Sequence, residues 1–322
     1  MNTMHKEAVL RHPPLIGSQL EPVFNNAVQE RLQLPLRTIS RGLPTGLDID
    51  IQILVAAPWI FAGQTEALET STPPLGWPYG LKWIQLLTSG VDAYPRWFLE
   101  TVPVTTARGV AAEPIAEFVM GAILCAAKQL PQAWITSPED WQPRWLDCVS
   151  DSTVAVLGFG PIGQAVAKKA LALGARVLVL RKSNQPLDLP GAEQVSNIEE
   201  LVSHADHLVL AAPASAGNVG IINAKVLATA KSGLHLINVG RGDLIDDDAL
   251  LSALNSHQVR LATLDTTVPE PLPMGHPYYK HDRVRISPHI SGVSRHTRVA
   301  LAVKFVENYH RFLGGLPLLN QL

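Results

Sequence analysis

Apolar positions along this chain fall into two recurring patterns. Short unbroken runs read as strands buried on both faces of a sheet, and stretches with apolar residues three and four apart read as helices. The clearest unit begins at Thr153. Val154 to Leu157 is an unbroken run, Gly158-Phe-Gly-Pro-Ile-Gly163 follows, and Val166, Ala170 and Leu173 then share one helical face before Gly174. A glycine there is suited to ending the helix. Arg176 to Leu180 is the next strand.

The alternation continues with a helix from Asn197 to Val202 and a strand from His207 to Ala212 that closes at Pro213. A helix from Asn223 to Ala230 comes next, then a strand from Leu234 to Val239 that closes at Gly240-Arg-Gly242. Asp246 to Asn255 is helical, Arg260 to Leu264 is a strand leading to Asp265, and Arg283 to Ile286 leads to Ser-Pro-His289. Repeated strand and helix predict an α/β fold with a doubly wound parallel sheet.

The first hundred residues carry a fainter pattern. Ile49 to Ala56 and Lys82 to Leu87 are strand-like, set among turn residues such as Pro44-Thr-Gly46 and Pro73-Pro74, which predicts a small α/β domain. Thr88-Ser-Gly-Val-Asp92 should then lie at the carboxyl end of the second strand, where open sheets bind ligands. Gly90 there suits either an anion held on backbone amides or a plain turn. Pro103-Val-Thr-Thr106 is a short strand, and Glu113-Pro114 opens a helix that runs to about Leu130. That helix is apolar on several faces, so it is buried or packed on another subunit. Glu117 and Lys128 interrupt it, and it is too short to span a bilayer. The segment from Pro131 to Trp145 is long for a turn and reads as a functional loop or a dimer arm. A chain of 322 residues implies two domains. The expected division is residues 1–100 with 291–322 as one, and 101–290 as the other.

Composition narrows the partners. Hydrophobic residues make up 47% and charged ones 17%, an ordinary globular balance. The net charge is −2 with no basic block, which argues against nucleic acid and anionic membrane as partners. Cys125 and Cys148 are the two cysteines, without a CxxC, so neither a disulfide framework nor a zinc site is expected, and a reducing cytoplasm fits. The first residues lack the apolar core of a signal peptide.

The glycine string carries the first chemical signal. Gly158 permits a tight turn, Gly160 lets backbone approach a pyrophosphate, and Gly163 lets helix and strand pack closely. The helix opening at Pro161 and Ile162 offers unpaired N–H groups to phosphate. Strand, turn, helix and strand in this register predict dinucleotide binding. An NAD site needs an acid at the end of the second strand, about 20 residues on. Here that position is Arg181, followed by Lys182 and Ser183. Two cations and a hydroxyl suit a 2′-phosphate, so NADP(H) is expected over NAD(H); the plainer alternative is an exposed basic turn.

Three further residues sit where later strands should end. Arg241 has the planar fork that suits a carboxylate and a neighbouring carbonyl, unless it pairs with Asp243. Glu270 lies in Pro269-Glu-Pro271, where it is either held for use or a solvated loop charge. His289, one of 11 histidines, would alone be read as structural. Together, on one edge of a nucleotide-binding sheet, they suit reduction of a 2-keto acid. His⁺ gives the proton, the carboxylate favours its charged form, and arginine holds the substrate.

At these residues the sequence resembles the D-isomer-specific 2-hydroxyacid dehydrogenase family. The motifs are Gly158-Phe-Gly-Pro-Ile-Gly163, Ile237-Asn-Val-Gly-Arg-Gly-Asp-Leu-Ile-Asp246, Leu264-Asp-Thr-Thr-Val-Pro-Glu-Pro-Leu-Pro273 and Ser287-Pro-His-Ile-Ser-Gly292. The likeness covers residues 85 to 295 clearly. It implies a Rossmann domain plus a smaller, flavodoxin-like substrate domain that is discontinuous in sequence, with the helix from Arg295 to Leu313 returning to it. It implies that Arg241 binds the substrate carboxylate and carbonyl, that His289 is the acid/base and that Glu270 is its partner. Ser89 and Gly90 would receive the carboxylate. Asp265 would meet the nicotinamide carboxamide, and Ala212, Pro213, Val239, Gly240 and Gly292 would line the cofactor. The family further implies a homodimer built on the Ile115 helix and a cleft between domains that closes on substrate. Thr266-Thr267 departs from the usual valine and aromatic, Thr106 stands where asparagine is common, and Ser215 and Asn218 replace threonines. NADPH-dependent reduction of glyoxylate or hydroxypyruvate is the function expected, with Trp59, Phe61 and the Trp141 loop as candidates to shape the pocket. A nucleotide-sensing protein without turnover, and a phosphite- or formate-type dehydrogenase, are the alternatives.

Overall fold

The apolar runs become strands, and they assemble into two separate parallel sheets. The computed structural model describes residues 13–58, 72–92, 94–183 and 185–322. Trp59 and Phe61 lie outside the described residues.

The first unit contains β1 (Leu15–Ser18), α1 (Pro22–Leu32), β2 (Leu36–Thr38), β3 (Ile51–Ala56), β4 (Trp83–Leu86), α2 (Arg96–Glu100) and β5 (Val104–Thr105). Its strands pair in the order β2-β1-β3-β4-β5, all parallel. β5 is in register with β4 at Ile84 and Val104, so this sheet continues past residue 100. The chain leaves the first unit after Val110 and re-enters it at Ser294, slightly beyond the boundaries expected near 100 and 290.

The second unit contains α3 (Ala112–Ala127), β6 (Thr153–Leu157), α4 (Pro161–Ala172), β7 (Arg176–Leu180), β8 (Ala192–Gln194), α5 (Ile198–His204), β9 (His207–Leu210), α6 (Ala224–Leu227), β10 (Leu234–Asn238), α7 (Asp247–Asn255), β11 (Val259–Leu264) and β12 (Val284–Ile286). The strand order is β12-β11-β10-β9-β6-β7-β8, all parallel, with the direction of winding reversing between β6 and β9. Alternate residues of each strand serve opposite faces. Ala155, Leu157, Leu178, Leu208, Leu210 and Leu236 join one apolar cluster with α5, α6 and α7. Val154, Val156, Val177, Val179, Val209 and Ile237 join the other with α3 and α4. Each valine, leucine or isoleucine among them contributes about 1.5–3 kcal/mol when fully buried, which is why unbroken apolar runs specify this sheet. The helix expected from Asn223 to Ala230 is only Ala224–Leu227, capped by the Asn223 side chain on the Val226 amide.

The final helix, α8 (Arg295–Leu313), belongs to the first unit. Ser294 caps it by accepting from the Thr297 amide at 3.1 Å. Phe305 is fully buried there, stacked 5.0 Å from the Trp83 ring and edge-on to Phe24 at 5.9 Å. Trp83 donates in turn to Thr105 Oγ1 at 2.8 Å, which ties β4, β5 and α8 together.

Two histidines are built into the second sheet away from its carboxyl edge. His207 opens β9 and His235 lies beside it on β10, 4% and 0% exposed. Their Nδ1 atoms are 3.1 Å apart, and His235 Nε2 is 3.0 Å from Thr263 Oγ1. One Nδ1 therefore carries the proton and the other accepts it, so at least the accepting ring is neutral. Burial pushes His207 down to about 4. Burial, with His207 and Arg260 nearby, holds His235 well below the ordinary histidine range. Around His207, Arg260 adds to the shift, while Asp206 and Asp147 oppose it. The unfolded chain binds these protons near the ordinary value of about 6.5, and the folded chain does not. Stability should therefore fall as pH is lowered from about 6.5. Urea midpoints measured between about pH 6.5 and 5 should drop less steeply in His235→Gln than in the native chain. Equal slopes would show that the pair does not titrate on unfolding.

Candidate active site

β6 ends at a turn that only glycine serves well. Gly158 has φ 98°, and its amide donates to the Leu180 carbonyl at 2.8 Å, joining the ends of β6 and β7. A Cβ on Gly163 would overlap the Gly158 carbonyl oxygen, so this glycine is what allows α4 to lie against the turn. A Cβ on Gly160 would meet nothing within 4 Å, so the backbone there is open to approach. α4 starts with Pro161 at its first position and has no side-chain cap. Its first amides are left for a ligand, with the positive dipole end behind them. This turn fits a pyrophosphate.

Arg181 follows β7. Its Nε donates to Gln194 Oε1 at 3.2 Å, its Nη2 donates to the Gln185 and Pro186 carbonyls, and its guanidinium lies 5.6 Å over the Phe159 ring. Lys182 and Ser183 are exposed beside it. The Pro213 carbonyl accepts from Asn218 Nδ2 at 2.8 Å, and Asn218 Oδ1 accepts from the Ser215 amide and hydroxyl. The loop after β9 is thus closed by the residues that stand in place of threonines. The approach of β9 and β10 is tight, since a Cβ on Gly240 would lie 2.6 Å from the Ala212 carbonyl. Val239 is buried in the α3 and α4 cluster, and a Cβ on Gly292 would meet Ala111 and Ile115. These two positions are packed from the protein side.

The loops after β10, β11 and β12 bring Arg241, Asp265, Glu270 and His289 together. Asn238, fully buried at the end of β10, sets the first of them. Its Nδ2 donates to the Arg241 carbonyl at 2.9 Å and its Oδ1 accepts from the Gly240 amide at 3.0 Å. Arg241 Nη1 donates to the Gly240 carbonyl at 2.8 Å. The next residue, Gly242, packs so closely on the Thr267 backbone that any Cβ would overlap it. The Arg241 loop and the Glu270 loop are thereby held against each other.

Asp265 directly follows β11 and is 2% exposed. Its Oδ1 accepts from Ser287 Oγ at 2.5 Å and from the Ile290 amide at 2.9 Å, and its Oδ2 accepts from the Ser291 amide at 3.0 Å. These bonds fasten the turn that carries His289, whose φ of 53° lies in the left-handed region. Such a conformation is uncommon outside glycine and needs support from its surroundings. His289 Nδ1 is 2.9 Å from Glu270 Oε2, and Glu270 Oε1 accepts from the Thr267 amide at 3.1 Å. The His289 side chain remains 45% exposed. Its hydrogen bond to Glu270 raises its pKa above the ordinary value, against the effects of burial and of the Arg241 charge. Asn238 and Ser287 were not singled out in the sequence. Their signal is a polar residue closing or following an apolar strand, which is too common to be specific.

Ser89 and Gly90 belong to the first unit. Ser89 Oγ donates to the Ala107 carbonyl at 3.2 Å, and Thr88 Oγ1 donates to the Gly90 carbonyl at 2.6 Å, which shapes the loop after β4. Thr106 extends that sheet edge, its amide donating to the Asn320 carbonyl. Trp141 lies in an exposed segment, 78% exposed.

Comparison with known proteins identifies the family. Residues 120–291 match the family model for the D-isomer specific 2-hydroxyacid dehydrogenase NAD binding domain. The chain is 30% identical to glyoxylate/hydroxypyruvate reductase A of Serratia proteamaculans, covering 66% of this chain and 72% of that protein. It is also 30% identical to the glyoxylate reductase/hydroxypyruvate reductase of Homo sapiens, covering 66% and 67%. Among solved structures, a D-isomer specific 2-hydroxyacid dehydrogenase from Xanthobacter autotrophicus Py2 in complex with NADPH and MES superposes with a TM-score of 0.76. That pair is 26% identical over 97% of this chain and 98% of that one. Fold, motif residues and relatives agree: the chain is an oxidoreductase that belongs to the D-isomer specific 2-hydroxyacid dehydrogenase family.

Proposed function

We propose that this chain reduces a small 2-keto acid, glyoxylate or hydroxypyruvate foremost, with NADPH. The observation that carries the reading is the His289–Glu270 pair. It is a protonatable imidazole held at 2.9 Å by a carboxylate, in the same group of loops as Arg241. The unit from Ala111 to Val293 is the dinucleotide-binding domain in this reading, and the other unit is the substrate-binding domain. A bound nicotinamide supplies the hydride. His289 Nε2 donates the proton to the substrate oxygen, and Glu270 keeps the ring charged and oriented through Nδ1. Arg241 binds the carboxylate and polarises the carbonyl, with the Ser89 and Gly90 loop taking part in carboxylate binding. Asp265, whose carboxylate accepts from Ser287, Ile290 and Ser291 among the described residues, takes the carboxamide contact in this reading. Ala212, Pro213, Val239, Gly240 and Gly292 are cofactor-lining positions in the same reading.

Reduction requires His289 in its charged form. Because the folded pKa is raised, that form persists above the pH at which a free imidazole loses its proton, and it is lost as pH rises through the folded pKa. His289→Ala should lower kcat by about 10²–10⁴-fold while NADPH binding, read by fluorescence, stays near normal. Glu270→Gln should move the high-pH fall of the reduction rate to lower pH; an unmoved profile would remove Glu270 from this role.

Cofactor and substrate choice rest on different supports. Arg181, Lys182 and Ser183 close β7 with two cations and no acid, which supports NADP(H) over NAD(H), and a similar structure was solved with NADPH. The relatives' names support the substrate class. Oxidation of NADPH and NADH should be followed with a panel of 2-keto acids. NADPH with glyoxylate or hydroxypyruvate is expected to give the highest kcat/KM. A clear NADH preference would overturn the cofactor assignment, and no turnover with any acid would favour a nucleotide sensor.

A homodimer through the α3 region belongs to the same proposal. Leu124 and Cys125 are exposed on that helix, and Trp134 and Trp145 in the following segment are 70% and 97% exposed. Aromatic area of this extent suits a second copy of the chain. Two free cysteines suit a reducing compartment such as the cytoplasm. Light scattering should give twice the chain mass, and Leu124→Glu combined with Trp145→Ser should halve it. A monomeric native protein would dismiss the dimer.

A further inference from the structure

The basic turn after β7 is held by a side chain from the neighbouring strand. Gln194 closes β8, in register with Val179 of β7. Its Oε1 accepts from Arg181 Nε at 3.2 Å, and its Nε2 donates to the Ser183 carbonyl at 3.0 Å. One amide therefore grips both ends of the Arg181-Lys182-Ser183 segment. The Gln185 and Pro186 carbonyls take Arg181 Nη2, and the Phe159 ring lies under the guanidinium. Arg181 is thus fixed along its Nε and Nη2 edge, and its Nη1 has no partner among the described residues.

The chemistry of residue 194 matters here. A glutamate would orient Arg181 equally well, but it would cancel the charge and repel an anion. A glutamine orients the guanidinium and leaves its full charge available. The amide also holds the Ser183 carbonyl, so the Arg181 guanidinium and the backbone that carries Lys182 and Ser183 are set before a ligand arrives. Fixing a binding group beforehand reduces the ordering cost paid on association.

We infer that Gln194 is a positioning residue for cofactor specificity, holding the Arg181–Ser183 turn in the form that receives the 2′-phosphate of NADP(H). The inference rests on the NADP(H) reading above, and the experiment separates the two. Kd for NADPH and NADH is measured by nucleotide fluorescence, and for adenosine 2′,5′-bisphosphate and AMP by calorimetry, on the full chain and on Gln194→Ala, Gln194→Glu and Arg181→Ala. Thermal midpoints are recorded alongside. Gln194→Ala should weaken NADPH and the bisphosphate about tenfold while NADH and AMP change by less than about twofold. Gln194→Glu should weaken the phosphorylated ligands further.

If Arg181→Ala loses the preference and Gln194→Ala keeps it, the positioning role is wrong and the phosphate site stands. If Gln194→Ala weakens all four ligands alike, its role is structural only and the inference falls. If Arg181→Ala leaves the ratio of NADPH to NADH affinity unchanged, the phosphate site itself is wrong.

Discussion

A buried carboxylate holds this site together. Asp265 sits at the end of β11 with almost no exposure, and a charge placed there costs several kcal/mol unless its oxygens are met. Ser287, Ile290 and Ser291 meet them, all from the segment after β12. Hydrogen bonds to a charged group contribute about 1.5–3 kcal/mol each, enough to offset the cost of about 1–3 kcal/mol for an unfavourable backbone conformation at His289. The position of His289 therefore depends on where β11 ends. Asn238 does the corresponding work for Arg241 at the end of β10, and the contact of Gly242 with Thr267 joins the two loops. Three strand ends, each anchored by a polar residue at the sheet's carboxyl edge, behave as one support for the chemistry.

What could be read from the sequence follows from how each element is stabilised. β6, β7, β9, β10 and β11 lie inside the larger sheet, where both faces are covered, so each shows an apolar run. β8 is Ala-Glu-Gln at the sheet's edge, partly or wholly exposed, and its pairing with β7 is supported by the Arg176–Glu193 ion pair. No hydrophobic pattern announces such a strand. β1 and β2 are similarly short, and β2 exposes two of its three residues. The sequence singled out Arg241, Glu270 and His289 by residue type and strand-end position, and the structure gathers them in one group of loops. Polar side chains were illegible where the role depends on a partner that only the fold brings near, as with Ser287 reaching the Asp265 carboxylate and Gln194 reaching the Ser183 carbonyl.

The histidines show why residue type alone does not assign a role. His207 and His235 lie on neighbouring strands of the sheet whose carboxyl edge leads to His289, yet burial lowers the proton affinity of both while Glu270 raises that of His289. Inside the sheet, the hydrogen-bond partner of each ring is another ring or a hydroxyl, and the charges of Asp206 and Asp147 do not outweigh burial, so the neutral rings are favoured. At the edge, Glu270 faces His289, and partial exposure leaves the charged form hydrated. Sheet geometry separates the two cases. Within the strands, backbone groups are spent on the ladder and side chains must satisfy one another; past the strand ends, the loops are free to bring a carboxylate to an imidazole. A protonatable group able to act near neutral pH is therefore confined to the edge, where the cofactor turn after β6 also opens.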